Sequence, residues 1–422
     1  MSLAIQMFKG ALYIGTNMKI AIVHDELMRK GGAEQVVLTM LKAFPDADVY
    51  TLAYNPTATY PEFANYNIRT SGFQWVSKSV VWMQRLYFPF GILAMRNMDV
   101  KGYDVVLTST THCAKYVSVD DESLVVTYCH TPFRLAWRPE SYNEVTSSGF
   151  IKKMLYKLVV RVLRKVDAVS ALRTDYFLTN AQEVVPRIKS AYHPNRRVTV
   201  INPPVKCDQF KPVEQDKDYY LVVSRFEPYK KVDLVIEAFN KMPDKKLVVL
   251  GKGTMENYLR GIAAPNVSFL TNLDAQEIAA LYAGARALVF PQHEDYGITP
   301  LEANASGCPV IAYGAGGVLE TMIPYRGNAS RCTALFFENQ DVASLTAAIY
   351  EFEGLKFNSK FIRRHAELFD EPVFIEKLKK FIQEKYELSQ QVPTRLEPVK
   401  QVTLPVAAAF VVPERRIRFG NV

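Results

Sequence analysis

Along this chain, short apolar runs bounded by turn residues alternate with longer stretches in which apolar residues recur at helical spacing. That is the pattern of parallel strands joined by helices. It occurs twice. In the first half the strand-like runs are KIAIVH from Lys19, DVVLTST from Asp104, SLVVTYCH from Ser123, YFLTN from Tyr176 and RVTVIN from Arg197. In the second half they are YYLVVS from Tyr219, KLVVLG from Lys246, VSFL from Val267, ARALVF from Ala285, PVIAY from Pro309 and ALFF from Ala334. Beyond Asp341 the spacing predicts three helices, the last from Glu371 to about Leu388.

Between the two series stands Asn202-Pro203-Pro204-Val205. Consecutive prolines neither donate to a sheet nor continue a helix, so they suit a stiff connector. The expected fold class is α/β, two facing Rossmann-like domains with a cleft between them. Residues 1–17 read as an N-terminal extension, 18–204 as the first domain and 205–370 as the second. Residues 371–389 read as a helix that crosses back to the first domain, and 390–422 as a tail with no assigned role. Open α/β sheets bind ligands outside the carboxyl ends of their strands, so the chemistry is sought in the strand-to-helix loops.

The most informative loop runs from Gln292 to Thr299, between the strand ARALVF and a helix expected to open at Pro300. Thr299 suits an N-cap, Pro300 the first helical position, and Gly297 a close backbone approach, so free N–H groups and the positive helix end are offered to an anion such as a diphosphate. Glu302, three residues after Thr299, has the spacing of a capping box as well as that of a ligand contact. The turn Ser224 to Lys231 places Arg225 and Lys230 after the first strand of the second half, where fixed cations neutralise a departing pyrophosphate in place of a metal. Gly31 and Gly32 open a helix after KIAIVH but lack the spacing of a dinucleotide site, which disfavours nicotinamide chemistry. His130 ends SLVVTYCH, and His112 and His24 share its strand-end placement. Asp46-Ala47-Asp48 precedes a strand and is rejected as a metal-binding pair, and no serine-hydrolase or zinc-hydrolase constellation is present.

Composition bounds these readings. With 422 residues, 49% of them apolar, the chain has material for two cores. A net charge of +8 fits nucleotides, phospholipid or nucleic acid alike. Nucleic acid is disfavoured because the cations do not interleave with aromatics in a recognised module. Cys113, Cys129, Cys207, Cys308 and Cys332 form no close pair, which fits a reducing cytoplasm. The N-terminus is a poor signal peptide, and Arg85 with Pro89-Phe90-Gly91 makes Ser79 to Met98 unsuitable as a spanning helix. Residues 151–166 interleave six cations with apolar residues at helical spacing, which suits either an anionic inner-membrane surface or an ordinary helix packed on the sheet. Trp75, Trp82, Tyr87, Phe88 and Phe90 suit an acceptor groove or, more readily, core packing.

From about Met18 to Leu388 the chain resembles glycosyltransferase family 4, the retaining enzymes of the GT-B fold. The resemblance is carried by Glu294 and Glu302 with seven residues between them, by the run to Gly307-Cys308-Pro309-Val310-Ile311-Ala312, by Arg225 and Lys230 five apart, and by Gly316-Gly317 with Glu320. It implies that Glu294 lies beside the donor sugar and that Glu302 holds the ribose hydroxyls. Tyr296, Gly297, Ile298 and Thr299 would hold the diphosphate, and Arg225 and Lys230 would stabilise the leaving group. Gly251, Gly253 and Leu273 look like base contacts, and Gly31 and Gly32 like further donor contacts.

The stretch YCHTPFRLAW, Tyr128 to Trp137, is similar to a subgroup of bacterial mannosyltransferases of surface polysaccharide synthesis. That favours GDP-mannose as donor and a glycan or lipid-linked acceptor, with His130 in the catalytic set and His112, Arg134 and Trp137 on the acceptor side. The resemblance implies front-face attack with the departing phosphate taking the acceptor proton, with no protein nucleophile, no metal and no cofactor. The cysteines, the N-terminus and the basic stretch 151–166 together lead to the expectation of a cytoplasmic protein, peripheral at the inner membrane face. A GT-B epimerase acting on a sugar nucleotide and a non-catalytic subunit of an assembly complex are the alternatives. Lys231 departs from the family pattern, where glycine is frequent.

Overall fold

The computed structural model describes residues 18–75, 90–139, 150–213 and 217–391. The extension 1–17, the tail beyond residue 391, and the aromatic positions Trp82, Tyr87 and Phe88 lie outside the described residues.

The first half contributes β1 (Ile20–His24), β2 (Asp48–Thr51), β3 (Ile68–Thr70), β4 (Asp99–Val100), β5 (Val105–Thr110), β6 (Ser118–Val119), β7 (Leu124–Cys129), β8 (Tyr176–Thr179) and β9 (Thr199–Val200). Seven of these form one parallel sheet in the order β3-β2-β1-β5-β7-β8-β9, and β4 pairs with β6 in a small separate ladder. The second half contributes β10 (Tyr219–Val223), β11 (Lys246–Leu250), β12 (Val267–Leu270), β13 (Ala285–Phe290), β14 (Val310–Tyr313) and β15 (Ala334–Phe337), a parallel sheet in the order β12-β11-β10-β13-β14-β15. The strands read as nearly unbroken apolar runs because both faces of each sheet are covered, which removes the alternation of a half-exposed sheet.

In both sheets the strand order reverses beside the first strand, at β1/β5 and at β10/β13. A crevice opens where neighbouring crossovers leave on opposite sides. The loops that follow β10 and β13 are those of Arg225 to Lys230 and of Gln292 to Thr299, while His24 ends β1 and the loop after β5 carries His112.

One face of the first sheet is covered by the helix Gly32–Ala43 and by the last helix, Glu371–Gln391, which returns from the second half and buries Phe374, Leu378 and Ile382 against Val37, Leu41 and Val126. The other face is covered by the helix Phe150–Ala171 through Leu163 and Val166. The connector and the returning segment run side by side, with Val205 N donating to Phe369 O at 2.9 Å and Cys207 N to Asp370 Oδ1 at 3.0 Å.

The helix Phe150–Ala171 extends past the predicted basic stretch and packs as an ordinary amphipathic helix. Val160, Leu163 and Val166 are buried, while Lys157, Arg161, Arg164 and Lys165 are exposed, as are Met154 and Leu158. No helix among the described residues is long and apolar enough to cross a membrane. Core packing fails for two of the aromatic candidates: Trp75 and Phe90 are exposed. Both border segment 76–89, which is outside the described residues.

Candidate active site

On the second half, β10 delivers Arg225 and Lys230. A short 3-10 turn, Pro228–Lys230, ends at Lys231, whose φ of 54° is left-handed. That geometry is why a glycine suits this position, and a lysine there carries strain of about 1–2 kcal/mol. The turn directs Lys230 Nζ onto Glu294 Oε1, with which it forms an ion pair, while Gln292 Nε2 donates to the same oxygen at 3.4 Å. Burial, with Arg225 and Arg134 nearby, lowers the Lys230 pKa to about 8. Arg225 is exposed, and its Nη2 donates to Tyr229 OH at 2.6 Å.

The helix after β13 is Ile298–Ala305, capped by Gly297 at φ 81° with no side-chain cap. The expected cap at Thr299 is therefore corrected: Thr299 and Pro300 lie inside the helix, because the left-handed glycine ends the loop earlier. The first-turn N–H groups receive no side-chain acceptor, which leaves the positive helix end available to an anion. Nor does Glu302 close a capping box. Its carboxylate is half-buried and accepts from Tyr282 OH at 2.8 Å. Burial raises its pKa, and that bond only partly offsets the rise.

Backbone contacts brace this loop. Gly316 pairs with Glu294, and Gly317 N donates to Glu294 O at 2.9 Å. Gly316 has φ 78°, and a Cβ there would collide with the Glu294 carbonyl. Gly251 and Gly253, after β11, are as tightly packed, on the carbonyls of Ser224 and Phe226. Leu273 follows the left-handed Asn272 and precedes Asp274, which caps the next helix in a capping box with Glu277.

On the first half, Gly31 caps the helix Gly32–Ala43, and the buried Glu34 folds back onto it. Arg29 bridges Glu34 at 3.3 Å and Glu26 at 3.2 Å. At the ends of β1, β5 and β7 stands a second polar cluster. Asp25 accepts from Thr110 Oγ1 at 2.9 Å, from the N–H groups of Cys113 and Ala114 at 2.7 Å each, and from Thr111 Oγ1 at 2.8 Å. His112 stands between Asp25 and Glu26, 3.1 Å from each. Burial alone would lower the His112 pKa, but the two carboxylates raise it well above 6.5; burial would raise Asp25, and His112 with His24 holds it well below 3.8. Asp25, His112 and Cys113 are close enough to share a cation, but the Asp25 oxygens are already filled by N–H and O–H donors, an arrangement that suits an ion pair.

His130 is buried, and its Nε2 meets Ser109 Oγ at 2.9 Å, which in turn meets His24 Nδ1 at 3.2 Å. Burial, then His24, pushes the His130 pKa down to about 3. Arg134 and Trp137 share one short helix but point to different neighbours. Trp137 Nε1 donates to the buried Asp167 at 2.8 Å, which ties this predicted acceptor contact into the packing of the first half. Arg134 is exposed and stands 3.8 Å from Asp295 Oδ2, so the structure brings it to the second-half site, where its charge acts on Lys230.

Several participants escape the sequence reading. Asp25 and Glu26 share the strand-end placement that singled out His24, so that signal was available. Tyr282 and Arg187 carry no such signal, since only folding places the first beside Glu302 and the second beside Asp295 of the Glu294 loop.

Two parallel α/β sheets, with a cationic and amide-lined candidate site at the switch point of the second, define the GT-B fold. Residues 206–366 match the family described as Glycosyl transferases group 1. It is similar to the alpha-1,3/1,6-mannosyltransferase ALG2 of Kluyveromyces lactis, 24% identical over 385 residues, covering 75% of this chain and 73% of the relative. It is also similar to the GDP-mannose-dependent monoacylated alpha-(1-6)-phosphatidylinositol monomannoside mannosyltransferase of Corynebacterium glutamicum. That match is 34% identical over 143 residues, 30% of this chain and 36% of the relative. Among solved structures, Anabaena HepE in complex with UDP-glucose superposes with a TM-score of 0.62 at 16% identity, over 87% of this chain and 100% of that one.

Proposed function

We propose that the protein is a retaining, metal-independent mannosyltransferase that uses GDP-mannose and a glycan or lipid-linked acceptor in cell-surface polysaccharide synthesis. The observation that carries the reading is the Lys230–Glu294 ion pair beside the uncapped start of the helix Ile298–Ala305. A diphosphate entering there meets amides on one side and Lys230 and Arg225 on the other, while Glu294 remains to face the sugar. Fixed donors aimed where charge develops are worth several kcal/mol in such a site.

In the proposed reaction the bond from the sugar C1 to the β-phosphate oxygen breaks, and the acceptor oxygen joins C1 on the same face. The acceptor proton passes to the departing phosphate, so the nucleoside diphosphate leaves with its charge held by Lys230, Arg225 and the amides. Glu302, hydrogen-bonded to Tyr282, is assigned to the ribose hydroxyls, and the loops of Gly251, Gly253 and Leu273 to the base. The mannosyl donor is supported by the names of the two relatives above. Peripheral contact with an anionic inner membrane is assigned to the exposed cations of the helix Phe150–Ala171, with Met154 and Leu158 among them.

Purified protein incubated with a panel of sugar nucleotides in chelator tests the reading, through hydrolysis and through protection against heat. GDP-mannose is expected first, unaffected by chelator, with Glu294→Ala and Lys230→Ala each at least about a hundredfold slower. Full turnover by either variant overturns the site assignment. Release of an isomerised sugar nucleotide without an acceptor overturns the transferase reading.

A further inference from the structure

The loop that carries Glu294 belongs to the second half, yet the side chains around Glu294 reach into the first. His293 Nε2 lies 3.4 Å from Glu183 Oε1, and Tyr296 OH donates to Pro203 O at 2.7 Å. Between them Asp295 Oδ1 takes Arg187 Nη1 at 2.5 Å. The other guanidinium nitrogen of Arg187 donates to Glu183 Oε1 at 2.8 Å, one turn earlier in the chain, so the fork is fixed at both tines. Only 16% of the Arg187 side chain and 21% of the Asp295 side chain are exposed, so water screens this pair less than a surface bridge.

The first half takes hold again on the other side of Glu294. Gln182 N and Asn202 Nδ2 donate to the Glu320 carboxylate at 2.6 and 2.8 Å, and Glu320 closely follows Gly317, whose N–H holds the Glu294 carbonyl at 2.9 Å. Glu294 is thus the residue of the loop that faces Lys230, suspended between anchors in the opposite half.

We propose that Arg187 is a positioning residue for sugar transfer: by fixing Asp295 from across the boundary between the halves, it sets where the adjacent Glu294 carboxylate stands. One peptide unit separates the two carboxylates, so releasing Asp295 frees the backbone that aims Glu294. A misplacement of about 1 Å costs on the order of a hundredfold in rate. Arg134 does not substitute, because it stands 3.8 Å from Asp295, beyond hydrogen-bond reach. A lysine at 187 supplies the charge but not the two-tined fork that spans Glu183 and Asp295.

The proposal rests on the role assigned to Glu294, and its test keeps the two apart. The full chain and its variants are assayed for kcat and KM with GDP-mannose, for GDP affinity by calorimetry, and for thermal midpoint. Arg187→Ala is expected to lower kcat about ten- to a hundredfold while GDP affinity stays within about threefold, because the amides and Lys230 are untouched. Arg187→Lys recovers part of the loss. Asp295→Ala reproduces it, and the double variant is no slower than either single one, the signature of two residues acting through one contact. Should Arg187→Ala fail to fold, Arg187→Met keeps the aliphatic stem and carries the same comparison.

An Arg187 variant with wild-type kcat overturns the proposal, as does a double variant in which the two losses multiply. So does a loss that appears equally in GDP affinity and in the thermal midpoint. Glu294→Ala run alongside separates the failures: if it alone is inactive, only the positioning role falls, and if it too is fully active, the site assignment falls first.

Discussion

Asp167 is the most exacting test of how the first half is built. Its carboxylate is fully buried, and four donors converge on it: Lys115 Nζ at 2.6 Å and Tyr116 OH at 2.7 Å on one oxygen, Trp137 Nε1 and Tyr192 OH at 2.8 Å each on the other. Asp167→Ala strips the counter-charge from Lys115, whose side chain is 1% exposed, and orphans three donors. Breaking a buried ion pair costs about 3–5 kcal/mol. Each orphaned donor adds about 1–3 kcal/mol until water entering the gap satisfies it, so a loss of at least about 5 kcal/mol is expected. Urea titration followed by tryptophan fluorescence measures it, because Trp75, Trp82 and Trp137 all lie in the first half and report its unfolding. Asp167→Leu combined with Lys115→Met is expected to be more stable than Asp167→Ala, since neutral apolar groups carry no unpaired charge. A shift worth less than about 1 kcal/mol, the level of a surface pair, would refute the reasoning. So would a double variant weaker than the single one.

Two further predictions concern the second half. Lys230, buried and pushed down to about 8 beside Arg225 and Arg134, is protonated below that pH and neutral above it. The value of kcat/KM for the sugar nucleotide is therefore expected to fall as pH rises through about 8, and Lys230→Arg to remove that limb; a flat profile from pH 7 to 9 contradicts the role of its charge. Gly316→Ala places a Cβ against the Glu294 carbonyl at a left-handed φ of 78°. It is expected to cost about 1–3 kcal/mol in thermal unfolding and to slow turnover more than it weakens GDP binding, whereas wild-type kinetics would show that the Glu294 loop tolerates displacement.

The strands were readable because burial on both faces writes them as continuous apolar runs. VSFL, ARALVF and ALFF coincide with β12, β13 and β15. β3 was not readable, since Ile68-Arg69-Thr70 is a short edge strand with its last two residues exposed. Within the candidate site, Arg225, Lys230 and the loop before Glu302 were singled out by their place after strand ends, and Glu294 by the family resemblance. The helix start was misplaced because Thr299-Pro300 is a good capping pair in isolation, and only the left-handed Gly297 shows where the loop ends. Lys231 was legible as a departure from the family pattern, and its φ of 54° supplies the reason. Contacts between the halves, Arg187 with Asp295 above all, depend on how two sheets meet, which no local pattern encodes.

Two histidines of the first half, His130 and His112, differ in a way that bears on the chemistry. His130, with its pKa pushed down to about 3 by burial and by His24, is neutral across the physiological range. It serves Ser109 as a hydrogen-bond partner and has no proton to donate as an acid there. His112 is the converse: Asp25 and Glu26 overcome the cost of burial and keep it charged well above pH 6.5, so it holds its proton as an ion-pair partner. Neither residue changes charge near pH 7, and a general base must do so to take the acceptor proton and return it. That arrangement supports the proposed assignment of the proton to the departing phosphate. Lys230, the cation placed to meet that phosphate, carries the pH dependence predicted above.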